Sequence, residues 1–196
     1  MKIFITGGAG FIGSNFIRHI LSLNKGYKIV NYDKLTYAGN LANLESVADH
    51  PDYSFVRGSI CDANTVEDAM GGCDAVMHFA AESHVDRSIY EPAPVIDTNV
   101  TGTFVMLQVA RKLNIERFVH ISTDEVYGDM APGAFADESS PLQPSTSSAF
   151  ESCGPVGSLA GLLLSWPAVE IPGRNSSRPS SPCRILGKGL GVTPPT

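Results

Sequence analysis

The amino-terminal segment limits most strictly what this chain can become. Lys2 to Thr6 is a short apolar run with β-branched residues, the pattern of a buried strand. Gly7-Gly8-Ala9-Gly10-Phe11-Ile12-Gly13 follows at once, and apolar residues then recur at Phe16, Ile17, Ile20 and Leu21 with the spacing of one helix face. The order is strand, glycine turn, helix. In such a turn Gly7 permits the tight reversal, Gly10 lets the backbone approach a pyrophosphate, and Gly13 lets the helix pack closely on the strand. The helix amino terminus, at Phe11 and Ile12, adds free N–H groups and about half a positive charge. A second strand, Lys28 to Tyr32, ends in Asp33, about 20 residues beyond the turn, where a carboxylate binds a ribose 2′-hydroxyl. Together these features predict a dinucleotide site. A carboxylate repels a 2′-phosphate, so Asp33 favours NAD over NADP, with Lys34 beside it pulling mildly the other way.

The pattern continues in alternation. A strand is expected at Tyr53 to Arg57, a helix from about Ala63, a strand at Ala75 to Phe79, a long helix from about Val95 to Leu113, and a strand at Arg117 to Ser122. Apolar strands alternating with helices predict an α/β fold, a Rossmann-like doubly wound parallel sheet covered on both faces, with ligands at the carboxyl ends of the strands.

Composition changes along the chain. Residues 1–145 carry 10 Lys/Arg and 18 Asp/Glu, whereas residues 146–196 carry 4 and 2, with no Asp, Tyr or His and many Ser, Pro and Gly. An acidic body without a basic, aromatic-laced face is a poor match for nucleic acid. Cys61, Cys73, Cys153 and Cys183 lack C-x-x-C or metal-ligand spacing, so buried reduced thiols are expected and no metal. The first residues are too briefly apolar for a signal peptide, and no 18-residue apolar stretch occurs, so a cytoplasmic protein without a membrane span is expected.

The Gly7-x-x-Gly10-x-x-Gly13 spacing resembles the extended short-chain dehydrogenase/reductase superfamily. Within it the chain is similar to the dTDP-glucose 4,6-dehydratases, through four blocks in order: Tyr32-Asp33-Lys34-Leu35-Thr36-Tyr37-Ala38-Gly39-Asn40, His78 through Ser88, Thr98-Asn99-Val100-Thr101-Gly102-Thr103, and His120 through Gly128. The resemblance implies NAD as cofactor, dTDP-glucose as substrate and, because helices of the superfamily often form dimers, a homodimer. It implies that Ala80, Ala81 and Ser83 line the nicotinamide side, that Asn99 supports the adjoining helix, and that an adenine contact falls at Ser59-Ile60, where the family has Asp-Ile. It also implies that Thr123 hydrogen-bonds the C4 oxygen of the sugar, Asp124 protonates the departing hydroxyl and Glu125 takes the C5 proton. An epimerase, which only oxidises and re-reduces C4, needs no such pair. His78 and His120 lie in apolar strands and are read as packed or hydrogen-bonded core residues. His84, Asp86 and Arg87 fit substrate contact or plain solvation equally well.

After Pro144 the resemblance ends. The family continues into Pro-Tyr-Ser-Ala-Ser-Lys-Ala, whose tyrosine is the C4 base, but this chain reads Ser145-Thr146-Ser147-Ser148-Ala149-Phe150-Glu151-Ser152-Cys153, and none of its six tyrosines has lysine four positions later. Codons for Phe150 to Cys153, read one base later, permit Ser-Lys-Ala-Ala. Residues 146–196 are therefore expected to be an out-of-frame, largely disordered tail, the alternative being a genuinely divergent carboxyl-terminal region, and residues 1–145 a dinucleotide-binding domain without a substrate domain, an inactive or remnant form of the enzyme.

Overall fold

The computed structural model describes residues 1–82, 92–130, 133–137, 140, 141 and 143. Five strands form one parallel sheet: β1 (Lys2–Thr6), β2 (Lys28–Asp33), β3 (Tyr53–Arg57), β4 (Ala75–His78) and β5 (Arg117–His120), in the spatial order β3-β2-β1-β4-β5. The chain steps outward from β1 through β2 to β3, then returns to lay β4 on the other side of β1. That reversal creates the crevice between β1 and β4 where sheets of this kind bind ligands. The expected Rossmann-like parallel sheet is present.

Period-two alternation along β1 explains its uninterrupted apolar run. Ile3 and Ile5 point to one face, with Ile17 and Leu21 of α1 (Phe11–Ser22), Ile29 and Leu44. Phe4 points to the other, with Val66 and Met70 of α2 (Ala63–Met70) and Met106, Val109 and Ala110 of α4 (Thr103–Lys112). Each face is covered by helix, so both sets of β1 side chains are removed from water. Ile17 is completely buried, and its truncation to alanine would cost about 2–5 kcal/mol.

The helix boundaries follow local chemistry. α1 stops at Leu23, and Asn24 takes the left-handed conformation (φ 51°) while its N–H bonds the Leu21 carbonyl at 3.2 Å. α2 starts at Asp62, whose carboxylate accepts from the N–H groups of Asn64 and Thr65 at 3.1 and 3.3 Å.

Four elements depart from expectation. The long helix is not uniform: a short α3 (Pro92–Val95) passes into a π-helical segment, Ile96–Gly102, before α4. Tertiary contacts fix that segment, because Asn99 turns to the loop after β4 and a Cβ at Gly102 would press on Ile60 Cγ1 at 2.6 Å. β4 ends at His78 and β5 at His120, one and two residues short of the expected limits, where the chain turns away into the loops of the site. A 3₁₀ segment, Leu41–Val47, lies between β2 and β3, where no element was expected; it buries only Leu44, too little for a periodic signal. Finally, Cys73 is buried but Cys61 is exposed, its Sγ 3.2 Å from the Asp97 carbonyl, so the expectation of buried thiols holds for one of the two. Cys153 and Cys183, with the whole segment 146–196, lie outside the described residues.

Candidate dinucleotide site at the carboxyl ends of the strands

Gly7 leaves β1 in the left-handed region (φ 67°), and its N–H bonds the Tyr32 carbonyl at 3.1 Å. A Cβ at Gly7 would lie 2.7 Å from the Ala80 nitrogen, so a side chain here would push β4 away from β1. A Cβ at Gly13 would strike the Gly7 carbonyl oxygen, which keeps α1 tight on the turn. Gly10 differs: a Cβ there meets only the Gly7 oxygen at 3.2 Å and the Ala38 oxygen at 4.0 Å. Packing thus forbids side chains at Gly7 and Gly13 and leaves the space at Gly10 open for a ligand.

Gly10 caps α1 with no side-chain acceptor, and the first turn holds no acidic residue. The N–H groups that begin every helix without an intrahelical partner stay available there for an anion. Phe11 and Ile12 flank this end with 83% and 47% of their surface exposed, apolar walls beside a polar floor.

Asp33 is buried and holds the turn as well as facing the site. Its Oδ2 accepts from the Ala9 N–H at 2.9 Å and its Oδ1 from the Leu35 N–H at 2.8 Å. Each oxygen still has a lone pair for a ribose hydroxyl. The Ala9 carbonyl in turn accepts from the Asn40 N–H and from Asn43 Nδ2, each at 3.0 Å, so the glycine turn is fixed on both sides by the loop after β2. Lys34 is exposed.

Next to this edge, the Gly58-Ser59-Ile60 loop passes over Tyr32. The Tyr32 hydroxyl, whose pKa burial raises, donates to the Ser59 carbonyl at 2.9 Å. Ser59 Oγ accepts from the Cys61 N–H at 3.3 Å. Ile60, the other residue of the expected adenine contact, has its side chain buried in the core against Gly102.

Beyond β4, Ala80 is half-buried and Ala81 exposed. The Ala80 N–H bonds Thr6 Oγ1 at 3.2 Å, and that hydroxyl shares a 2.6 Å hydrogen bond with His78 Nδ1, whose Nε2 pairs with Thr103 Oγ1 at 3.1 Å. A fully buried, neutral imidazole therefore ties β1, β4 and α4 together just under the site. Burial, then the neighbouring His120, holds its pKa well below the usual value, and burial lowers His120 to about 4. His78 is the packed, hydrogen-bonded residue that its strand suggested, and His120 stacks 5.1 Å from it with Nδ1 lacking a partner among the described residues.

Asn99, which the resemblance places as a support of the adjoining helix, grips the backbone of Glu82, accepting from its N–H at 2.8 Å and donating to its carbonyl at 2.9 Å. A side-chain amide that matches both backbone groups fixes the start of the loop leaving β4, and it stands on the π-helical segment. Ser83, His84, Asp86 and Arg87 lie outside the described residues. Thr123 is half-buried just past β5, and Asp124–Tyr127 forms a 3₁₀ turn; the side chains of Asp124 and Glu125 lie outside the described part. Ser122, beside them, has a buried hydroxyl with no partner among the described residues.

A family model for GDP-mannose 4,6 dehydratase matches residues 4–149. The chain belongs to that family. It is 52% identical over 148 residues to a dTDP-glucose 4,6-dehydratase of Streptomyces niveus, a match covering 74% of this chain and 44% of that protein. Among solved structures, a Streptomyces venezuelae dTDP-glucose 4,6-dehydratase with NAD bound superposes with a TM-score of 0.80 at 43% identity, over 85% of this chain and 52% of that one. A Thermus thermophilus UDP-glucose 4-epimerase in complex with NAD has a TM-score of 0.74 at 27% identity, with the same coverage of both chains. The chain thus spans about half the length of the relatives it matches.

Two glycines of this 4,6-dehydratase fold were invisible as sequence. A Cβ at Gly8 would overlap Asn31 Oδ1 and lie 2.6 Å from Ile17 Cδ1, and one at Gly58 would overlap the Tyr32 ring. Neither falls in the spaced glycine pattern. Only the double glycine at 7–8 hinted at the first.

Proposed function

We propose that residues 1–145 are the NAD-binding half of a nucleotide-sugar 4,6-dehydratase whose complete form acts on dTDP-glucose, and that this chain holds the cofactor without turning the sugar over. The observation that carries the reading is the Asp33 carboxylate bonded to the Ala9 N–H of the glycine turn, beside the uncapped start of α1 and on the same sheet end as Thr123. Names of the relatives, dTDP-glucose 4,6-dehydratases and a structure with NAD bound, support it.

In this reading the backbone from Gly7 to Gly13 receives the pyrophosphate, Asp33 orients the adenosine ribose, and Ser59 with the Ile60 backbone borders the adenine. Ala80, Ala81 and Ser83 line the nicotinamide end, with Asn99 holding their loop. Bound NAD supplies a hydride acceptor and donor. Thr123 hydrogen-bonds the C4 oxygen, Asp124 delivers a proton to the departing hydroxyl, and Glu125 removes the C5 proton, so adjacent carboxyl groups divide acid and base work. The absent Tyr-x-x-x-Lys pair removes the acceptor for the C4 hydroxyl proton, a loss of roughly 10² to 10⁴ in rate. A cytoplasmic location and a homodimer belong to the same reading; Ile96 and Phe104 stand exposed on the helix facing away from the core, at 46% and 38%.

An epimerase reading draws on the Thermus fold match, but epimerisation has no use for Asp124-Glu125. Calorimetric titration should show NAD binding, and incubation with dTDP-glucose and NAD should yield no 4-keto-6-deoxy product. Absence of NAD binding would remove the cofactor reading; turnover near that of ordinary enzymes would show that another residue replaces the tyrosine.

A further inference from the structure

The loops after β2 and β4 carry a pair that cofactor binding does not require. Tyr37, 50% exposed, donates its hydroxyl proton to Glu82 Oε2 at 2.9 Å, across 45 residues of sequence. Because β2 and β4 flank β1 in the sheet, a bond between the loops at their carboxyl ends passes over the carboxyl end of β1. That is where the glycine turn opens into α1. The loop after β2 reaches low over the turn, with the Ala38 oxygen 4.0 Å from the position a Gly10 Cβ would take.

Both ends of this arch are anchored independently of the bond between them. Asn99 fixes the Glu82 backbone at two points, while on the other side the Asn40 N–H bonds Ala9 and the Gly39 N–H bonds the Thr36 carbonyl, each at 3.0 Å. The connecting hydrogen bond is exposed to water, so breaking it leaves no buried group unsatisfied and costs far less than breaking either anchor.

We propose that Tyr37 and Glu82 form a latch across the dinucleotide cleft, opening to admit and release the cofactor. The inference rests on the cofactor reading above. A latch blocks entry as well as exit, so its loss raises both rates and leaves affinity nearly unchanged, whereas loss of a ligand contact raises dissociation alone.

Stopped-flow NADH fluorescence on the full chain tests this. Tyr37→Phe should raise association and dissociation rates together by about five- to tenfold, the size expected for an exposed charge-assisted hydrogen bond, with Kd within about twofold. Glu82→Gln, which keeps an acceptor, should change them less, and the double variant should be no faster than Tyr37→Phe. Unchanged rates, or faster dissociation with proportionally weaker binding, would overturn the latch. Amide exchange of the ligand-free chain gives a readout independent of cofactor: the Gly39 and Asn40 N–H groups should exchange several-fold faster in Tyr37→Phe at unchanged melting temperature. If the parent chain binds no NADH, the cofactor reading fails, and exchange alone decides whether the loops are latched; unchanged exchange sinks the proposal.

Discussion

Mild acid should destabilise this protein through two buried histidines. His78 and His120 lie opposite each other in register on β4 and β5, with ring centres 5.1 Å apart, and burial keeps both neutral. The unfolded chain takes up protons near pH 6.5 that the folded chain refuses, so their contribution is complete above that pH and is lost as pH falls toward the folded pKa values. For His120, with a folded pKa of about 4, linkage gives a loss of about 2 kcal/mol between pH 7 and pH 5. Burial, and then His120 beside it, lowers His78 as well, so its contribution is lost in the same direction, against typical stabilities of about 5–15 kcal/mol. Urea unfolding followed by circular dichroism should show the midpoint falling by about 1 M or more over this interval. That window lies above the usual carboxylate range. His120→Phe removes one titrating ring and its unpartnered nitrogen, and should make the shift clearly smaller. A midpoint that moved by less than about 0.5 M in the parent chain, or equally in the variant, would refute the reasoning.

Other perturbations test separate contacts. Asp33→Asn keeps the acceptor for Ala9 but turns an NH₂ toward Leu35 and removes the charge that repels a 2′-phosphate, so the ratio of NAD to NADP affinity measured by calorimetry should fall about tenfold or more. Gly13→Ala drives a methyl group into the Gly7 carbonyl oxygen and should lower stability by about 1–3 kcal/mol in denaturant titration; an unchanged midpoint would mean that α1 shifts freely. Asn99→Ala strands the Glu82 N–H and carbonyl and should cost about 1–3 kcal/mol, with faster amide exchange at Glu82 as the local signature.

The chain's own order of residues determined the sheet and the place of the site. Continuous apolar strands, helix-spaced apolar residues and a Gly7-x-x-Gly10-x-x-Gly13 turn are local patterns, and β1 and β3 occupy the residues those patterns mark. Local pattern also located Asp33, because a strand end about 20 residues past such a turn has one place to go in a parallel sheet. What the folded molecule alone decided rests on pairs far apart in sequence. Asp33 buttresses Ala9 across 24 residues, Asn99 grips Glu82 across 17, Tyr37 reaches Glu82 across 45, and Thr6 meets His78 across 72. Ile60 shows the same limit from the other side: its position in a loop at the strand ends is legible, but the packing of its side chain into the core against Gly102 is decided by the fold. Periodicity reports which face of an element is buried, while the identity of the neighbour on that face depends on where the crossovers bring the next strand and helix, and that is settled only when the sheet is assembled.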